Sequence, residues 1–351
     1  MNRLERRYRL VLRLLPADYR RAWEDDMVAA FLDSMDTEDP EAAAYLADYG
    51  RPPLREVASV VGLAARLRLG GAGASPRWYA WGRAVRLAVL MAMLTHAAMA
   101  TGGLAVTLWG AGGLPWLPEP GQWALTWPEA AWRLAANAWL PAYLALVLGY
   151  RPVAQALALL AIGSRVVGIA VEDAAGTSLL AASLWANLLL DAVLVAAMVA
   201  FHRDAEPVPR RPWLWVLPIG VLAVPVPLFT LQATRPGWLL PDWPGLCCVL
   251  VTAAVAVHLV VRRRRRPART LPWSLAFTLL AAATLGLRLV TLADLRPGAE
   301  ESVVSALFAL GAVEAAVVWA VGVPLAVLTA RALRRLPAVR TGPPGPAAPA
   351  G

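Results

Sequence analysis

Residues 271–292 read LPWSLAFTLLAAATLGLRLVTL, a run in which Arg288 is the single charged side chain. A helix rises ~1.5 Å per residue, so a run of this length reaches across roughly 30 Å of bilayer hydrocarbon. Seven further runs of the same character surround it, at 84–109, 132–149, 152–171, 177–201, 213–231, 243–261 and 303–327. Hydrocarbon offers no water to backbone N–H and C=O groups, so each run is expected to be helical. The expectation is an all-α polytopic membrane protein with eight transmembrane helices. Only Tyr150-Arg151-Pro152 separates the runs 132–149 and 152–171. One long helix is the other reading, but Pro152 disfavours helical geometry at Arg151 and supports a tight turn.

Composition agrees with the runs. Of the 351 residues 59% are hydrophobic and 16% charged, against about 25% charged in a soluble domain. That excludes a disordered chain, and the clustering of the apolar residues argues against a single soluble globule. Two adjacent cysteines, Cys247 and Cys248, leave no disulfide framework. All 33 basic residues are arginine, set against 24 acids for a net charge of +9. Residues 1–80 hold 12 Arg and 12 acids, so the whole excess lies in the hydrophobic part. A nucleic-acid partner would need that charge on one soluble face, and here it sits between apolar runs.

The distribution of arginine orients the chain. With a cytoplasmic N-terminus and eight crossings, 16 arginines fall on the inner side: Arg83, Arg86, Arg151, Arg203, Arg210, Arg211, Arg262 through Arg266, Arg269, Arg331, Arg334, Arg335 and Arg340. Arg133, Arg235 and Arg296 fall outside. Inner loops of membrane proteins carry such an excess, so both termini are expected in the cytoplasm and the location is the cell membrane. Tryptophans such as Trp78, Trp213, Trp109 and Trp243 mark the expected boundaries as an aromatic belt. Residues 1–15 are interleaved with arginine, so no cleavable signal peptide is expected there. Arg262 through Arg266 anchor a cytoplasmic loop and offer a site for anionic lipid. The tail 331–351, rich in Pro, Gly and Ala, is expected to be disordered and cytosolic.

Ahead of the spans, residues 1–75 read as three short amphipathic helices, with 76–83 as a juxtamembrane linker. Leu4, Tyr8, Leu12 and Leu15 form one stripe among basic residues, and Pro16 ends that helix. Trp23, Met27, Ala30, Phe31 and Met35 form a second stripe flanked by Glu24, Asp25, Asp26 and Asp33. Leu54, Val57, Ala58, Val61 and Leu69 suggest a third. Either the basic and acidic helices pair as a hairpin, or the basic helix lies on anionic lipid.

Arg6-Arg7-Tyr8, Leu14-Leu15-Pro16-Ala17-Asp18-Tyr19-Arg20, Glu24-Asp25-Asp26-Met27 and Phe31-Leu32-Asp33, followed by Leu54-Arg55-Glu56 and Leu67-Arg68-Leu69, resemble the permease-prefix or HAAS-type cytosolic helical domain. The resemblance covers about 70 of the residues. The second helix departs slightly, carrying Trp23-Glu24-Asp25-Asp26-Met27 where the family has a glycine and glutamate pair. It implies a non-catalytic module ahead of membrane segments, in families often encoded beside PadR-type repressors and in some ABC permease subunits.

Four ionisable residues stand inside the expected spans: Arg165, Asp191, Arg288 and Glu314. Each costs about 2.5–3.5 kcal/mol at a helix centre, so each needs a partner. Arg165 precedes Asp191 by 26 residues, and Arg288 precedes Glu314 by 26. A shift of 123 also aligns Ile162-Gly163-Ser164-Arg165 with Leu285-Gly286-Leu287-Arg288. A parallel duplication of four helices, 84–201 and 213–327 within the membrane domain 84–330, explains both. Chance identities in Ala- and Leu-rich helices are the competing explanation. Arg165 and Arg288 lie about 9 Å and 6 Å from the outer helix ends, within reach of Glu172, Asp173 or Asp294 by snorkelling. Asp191 follows Ser183 and Asn187 at helical spacing, so this face of its helix is polar. Asp191 and Glu314 are expected to face the bundle interior.

His96 reads as a hydrogen-bonded packing residue, and His202 and His258 form no HxxxH spacing. Neighbouring Cys247 and Cys248 diverge by about 100° on a helix and do not chelate together readily. No cofactor, metal or catalytic constellation is expected, and an ATP-driven role needs a separate ATPase subunit. The leading expectation is a non-enzymatic membrane component whose residues 1–75 bind a cytosolic partner. The alternative is a transporter or ABC-type permease subunit that uses the buried acids.

Overall fold

The structure, a computed structural model, describes residues 3–35, 39, 41, 45, 48–114, 125–174, 181–234, 242–262, 267–295 and 302–336. Among these there is no strand; the elements are helices joined by turns. The chain divides into two compact units. One comprises Met1–Arg83, His202–Ala205 and Arg331–Gly351, the other Ala84–Phe201 and Glu206–Ala330.

In the first unit, α1 (Arg3–Leu12), α2 (Ala17–Ser34) and α3 (Leu54–Arg68) share one apolar cluster. Prolines 16 and 53 stand as the residues immediately before α2 and α3, where a fixed φ and a missing N–H cost nothing. The expected stripe Leu4, Tyr8, Leu12 and Leu15 is fully buried in this cluster. The stripe packs α1 against α2 and α3, while Leu10 and Leu14 stay exposed at 53% and 42%. Arg9 joins the two helices through Glu24 (3.4 Å) and Asp25 (2.9 Å). The Tyr8 ring stacks on Phe31 with centroids 4.0 Å apart.

Two stripes differ from expectation. In α2 the buried residues are Val28 and Phe31, with Met27 and Met35 packed beside them, whereas Ala30 is exposed and Trp23 is 46% exposed. In α3 the buried face is Val60, Ala64 and Leu67; Leu54 and Val61 are exposed. Helix α3 is apolar on more than one face, so periodicity alone does not select which face packs. Tyr8 selects it: its hydroxyl donates to Glu56 Oε1 at 2.9 Å, and Glu56 lies one turn before Val60.

Burial, then the nearby Glu56 carboxylate, push the Tyr8 hydroxyl above its ordinary range. The unfolded tyrosine loses its proton near pH 10 while the folded one keeps it, so this stability is complete below about pH 10 and is lost as pH rises beyond it. Tyr8→Phe removes a hydrogen bond to a charged group and costs about 1.5 kcal/mol. Hydrogen exchange of α1 measured between pH 8 and 11 checks both. The wild type should open progressively at the alkaline end, and Tyr8→Phe should show a flatter profile.

Helix α3 ends on a Schellman motif. Gly70 takes φ +80°, Gly71 N–H bonds to Arg66 O at 2.8 Å and Gly70 N–H to Leu67 O at 3.3 Å. The stretch 76–83, expected as a linker, forms the opening turns of a long helix, α4 (Pro76–Gly110).

The second unit contains the rest of α4 and the helices α5 (Trp127–Ala136), α6 (Trp139–Leu148), α7 (Arg151–Ala174), α8 (Ala181–Ala197), α9 (Arg210–Ala223), α10 (Pro225–Thr234), α11 (Trp243–Arg262), α12 (Pro267–Asp294) and α13 (Ser302–Arg334). Among the described residues seven helical stretches are long and apolar enough to cross a membrane: Pro76–Gly110, Arg151–Ala170, Ala182–Ala200, Arg210–Leu228, Trp243–Arg262, Thr270–Asp294 and Val304–Arg334. Exposed apolar side chains such as Leu159, Leu189, Val257 and Trp319 cover the outside of this bundle, as a lipid-facing surface requires. The architecture is that of a multi-pass membrane protein.

The run 132–149 is not one continuous helix. It belongs to α5 and α6, two helices of 10 residues each, broken at Asn137 and Ala138. Asn137 caps α5, its Nδ2 donating to Arg133 O at 2.8 Å, and Pro141 in the first turn of α6 suits a fresh start. The expected tight turn before α7 is present, but Gly149 makes it, at φ +96°. Arg151 is the first helical residue rather than the break, since a proline at the second helical position needs no N–H partner. The run 213–231 is also interrupted, at Val224, because Pro225 removes an N–H and starts α10. Gly102 accommodates that proline: a Cβ there would stand 2.9 Å from Pro225 Cβ.

Two apolar clusters hold the bundle. Tyr143, Met93, Leu146, Ala158 and Met198 centre the first, where the Tyr143 hydroxyl donates to Trp213 O at 2.7 Å. Val255, Phe277, Val318 and Leu325 centre the second, joining α11, α12 and α13. The tail 337–351 and Arg263 through Arg266 lie outside the described residues.

Candidate functional site

Three helices bring the first group of charges together. Asp191, on α8, is buried at 3% exposure. Its Oδ2 lies 3.5 Å from Arg165 NH1 of α7, and its Oδ1 lies 3.2 Å from His96 Nε2 of α4. The His96 ring stacks on Trp139 of α6 with centroids 4.4 Å apart and interplanar angle 21°. Trp243, the first residue of α11, closes the other neighbourhood at 5.0 Å and 37°. One turn away along α8, Asn187 Nδ2 donates to Ser183 O at 3.1 Å, and both residues are buried.

The second group surrounds Arg288 of α12. Its NH1 is 2.6 Å from Asp242 Oδ2 and its NH2 is 2.6 Å from Glu314 Oε2 of α13. Asp242 also starts α11, accepting the Gly245 N–H at 2.8 Å on Oδ1. One guanidinium thus joins α11, α12 and α13 through two carboxylates. Two glycines leave room for it. A Cβ on Gly245 would stand 2.7 Å from Asp242 Oδ1 and 2.9 Å from Glu314 Oε1; one on Gly311 would stand 2.8 Å from Arg288 NH2.

Asp242 and Trp243 are consecutive, so the groups flank the same first turn of α11. Cys247, one turn further, lies within electrostatic reach of both Asp191 and Asp242. Asp294, at the end of α12, accepts the Ser183 N–H at 2.8 Å and so serves the N-terminal turn of α8.

Both Arg and acid pairs spaced 26 residues apart are formed, Arg165 with Asp191 and Arg288 with Glu314. Both acids are largely buried, Asp191 at 3% and the Glu314 side chain at 12% exposure. Arg288 does not snorkel: its side chain is 3% exposed, because two carboxylates within 2.6 Å outbid the headgroup region. Asp294, expected as an outward partner for it, is engaged by α8 instead. The side chains of Glu172 and Asp173 lie outside the described residues. Gly163 and Gly286, the glycines shared by the repeat alignment, both face open space, so neither is required for close packing. His96 and Asp242 are the members that sequence reasoning missed. His96 reads in the sequence as a packing residue, and Asp242 stands just ahead of the apolar run 243–261 rather than inside it.

Gly245→Ala therefore serves as a probe. Alanine ordinarily stabilises a helix by about 0.8–1.0 kcal/mol over glycine. Here the added methyl displaces two carboxylates held by Arg288, and a net loss of about 1–3 kcal/mol is expected. Gly286→Ala, with nothing within 4 Å, should instead be neutral or stabilising. Thermal unfolding of both variants in the same detergent checks the opposite signs.

Compared with protein-family models, curated proteins and solved structures, the chain matches none.

Proposed function

We propose that this chain is a multi-pass component of the cell membrane whose amino-terminal helical unit, similar to permease-prefix domains, docks a cytosolic protein. In this reading the chain crosses eight times with both termini inside. Helices α5 and α6, at ~1.5 Å per residue, together supply about 30 Å for the eighth crossing. The observation that carries the docking role is the outer face of α2. Of its 18 residues only Val28 and Phe31 are buried, while exposed Trp23 stands beside exposed Asp25 and Asp26. An aromatic anchor ringed by acids suits a basic protein surface. A photo-crosslinker placed at residue 22 of the full chain in its native membrane tests this. A cytosolic protein should be captured, and Trp23→Ala should reduce the yield at least several-fold; crosslinks to lipid alone would end the proposal.

The buried ionic groups favour a second reading, a transporter or permease subunit, with any ATPase supplied separately. Intramembrane ionisable residues facing a bundle interior commonly mark substrate or ion pathways. Here Asp191→Asn and Glu314→Gln should abolish flux in proteoliposomes, whereas unchanged flux would make these acids structural.

A further inference from the structure

Helix α1 buries one stripe and leaves a second face of different chemistry open. Arg3, Arg6, Leu10 and Arg13 recur at intervals of three and four residues, opposite the buried Leu4, Tyr8 and Leu12, and all four are exposed. A last turn beyond the helix carries Arg13 and Leu14, with Arg13 N–H bonded to Leu10 O at 3.3 Å and Leu14 N–H to Val11 O at 3.0 Å. Arg68 of α3 brings a further charge to this end, its NH2 donating to Leu14 O at 2.9 Å.

The arginines of α1 divide by face. Arg9 is engaged by Glu5, Glu24 and Asp25, and Arg7 by the carbonyls of Tyr49 and Gly50. Arg3, Arg6 and Arg13 form no ion pair among the described residues. The unit is polarised as a result. Residues 3–15 carry five arginines against one acid, whereas α2 carries five acids against two arginines.

Charge and apolarity together select the occupant of the open face. A nucleic acid matches the arginines but not Leu10 and Leu14, which stand 53% and 42% exposed among them. An anionic bilayer surface matches both, its phosphates taking the guanidiniums and its acyl boundary the leucines. The chain also runs on from this unit into α4, an apolar helix long enough to cross a membrane. Such a tether raises the effective concentration of headgroups, so a small face suffices. A soluble acidic protein must compete with headgroups that the chain itself keeps at hand.

We propose that the outer face of α1 lies on anionic lipid headgroups, with Arg3, Arg6, Arg13 and Arg68 on the phosphates and Leu10 and Leu14 at the acyl boundary. The same surface repels the acids of α2, which leaves Trp23 to solvent. This lipid face is separate from the protein-docking face of α2 and stands whether or not a protein docks there.

A photo-crosslinker at residue 10 of the full chain in nanodiscs reads the contact. Lipid adducts should form in discs of phosphatidylcholine with about 30% phosphatidylglycerol and fall several-fold in phosphatidylcholine alone. They should also fall as salt is raised to about 1 M, where screening shortens the reach of the arginines. Each arginine near an anionic surface is worth about fivefold in binding, so Arg3→Gln, Arg6→Gln and Arg13→Gln together should lower the yield at least tenfold. Should that variant misfold, the comparisons of lipid and salt on the parent chain still decide. Equal yields in the two kinds of disc, or no lipid adduct in either, overturn the proposal. So does a yield at residue 22 of α2 that equals the yield at residue 10. In native membranes, a protein adduct at residue 10 in place of lipid assigns the face to an acidic partner and overturns it too.

Discussion

Replacing Arg288 by methionine is expected to destabilise the bundle by about 3–5 kcal/mol, the cost of leaving a buried charge without its partner. Arg288 is the shared partner of Asp242 and Glu314, so the substitution strands two carboxylates at once. Proton uptake by one of them relieves part of the cost, and for that reason the two losses do not add. The volume of methionine is close enough that cavity formation contributes little. A triple variant, Arg288→Met with Asp242→Asn and Glu314→Gln, removes the stranded charges and should regain most of the stability. Unfolding in mixed detergent measures all three states. Equal stability of Arg288→Met and the wild type would show that the triad is not what holds α11, α12 and α13 together.

Gly82→Ala should be the most damaging small substitution in the first unit. A Cβ at Gly82 would collide with Leu69 O and Leu69 C and stand 2.8 Å from Gly70 N. These are backbone atoms at the Schellman turn that ends α3, so no side-chain rotamer relieves the overlap. Overpacking usually costs about 1–3 kcal/mol, and a backbone collision belongs at or above the top of that range. It far exceeds the helix-propensity gain of about 1 kcal/mol that alanine brings. Gly62→Ala is the control: it lies on α3 with nothing within 4 Å and should gain about 0.5–1 kcal/mol. Hydrogen exchange across α3 reads both. Faster exchange in Gly82→Ala and slower in Gly62→Ala is the expected pattern; the same sign in both would show that the α3 to α4 corner yields freely.

Much of the candidate site was legible before any coordinates. Arg165, Asp191, Arg288 and Glu314 announce themselves because a charge in an apolar run is costly, but their pairing with each other, rather than outward with Glu172, Asp173 or Asp294, is decided by the tertiary structure. Ser183 and Asn187 followed from one helical face. What escaped was membership from elements distant in the chain. His96 looks like any packing histidine until Asp191 stands 3.2 Å away. Asp242 looks like a loop residue until the first turn of α11 folds its carboxylate against Arg288.

The helices show the same division. Length and apolarity, set by the thickness of hydrocarbon and by the backbone's need for internal hydrogen bonds, are properties of single segments, and the sequence alone determined them in seven stretches. The α1 stripe Leu4, Tyr8, Leu12 and Leu15 was likewise legible from helical spacing, and all four residues are buried. Where a segment offers two apolar faces or two routes for an arginine, local pattern is degenerate. The face of α3 was chosen by Tyr8 and Glu56. Arg288 turned inward because two carboxylates arrived from other helices. Those choices rest on contacts between residues far apart in sequence, and only the tertiary structure brings such contacts into being.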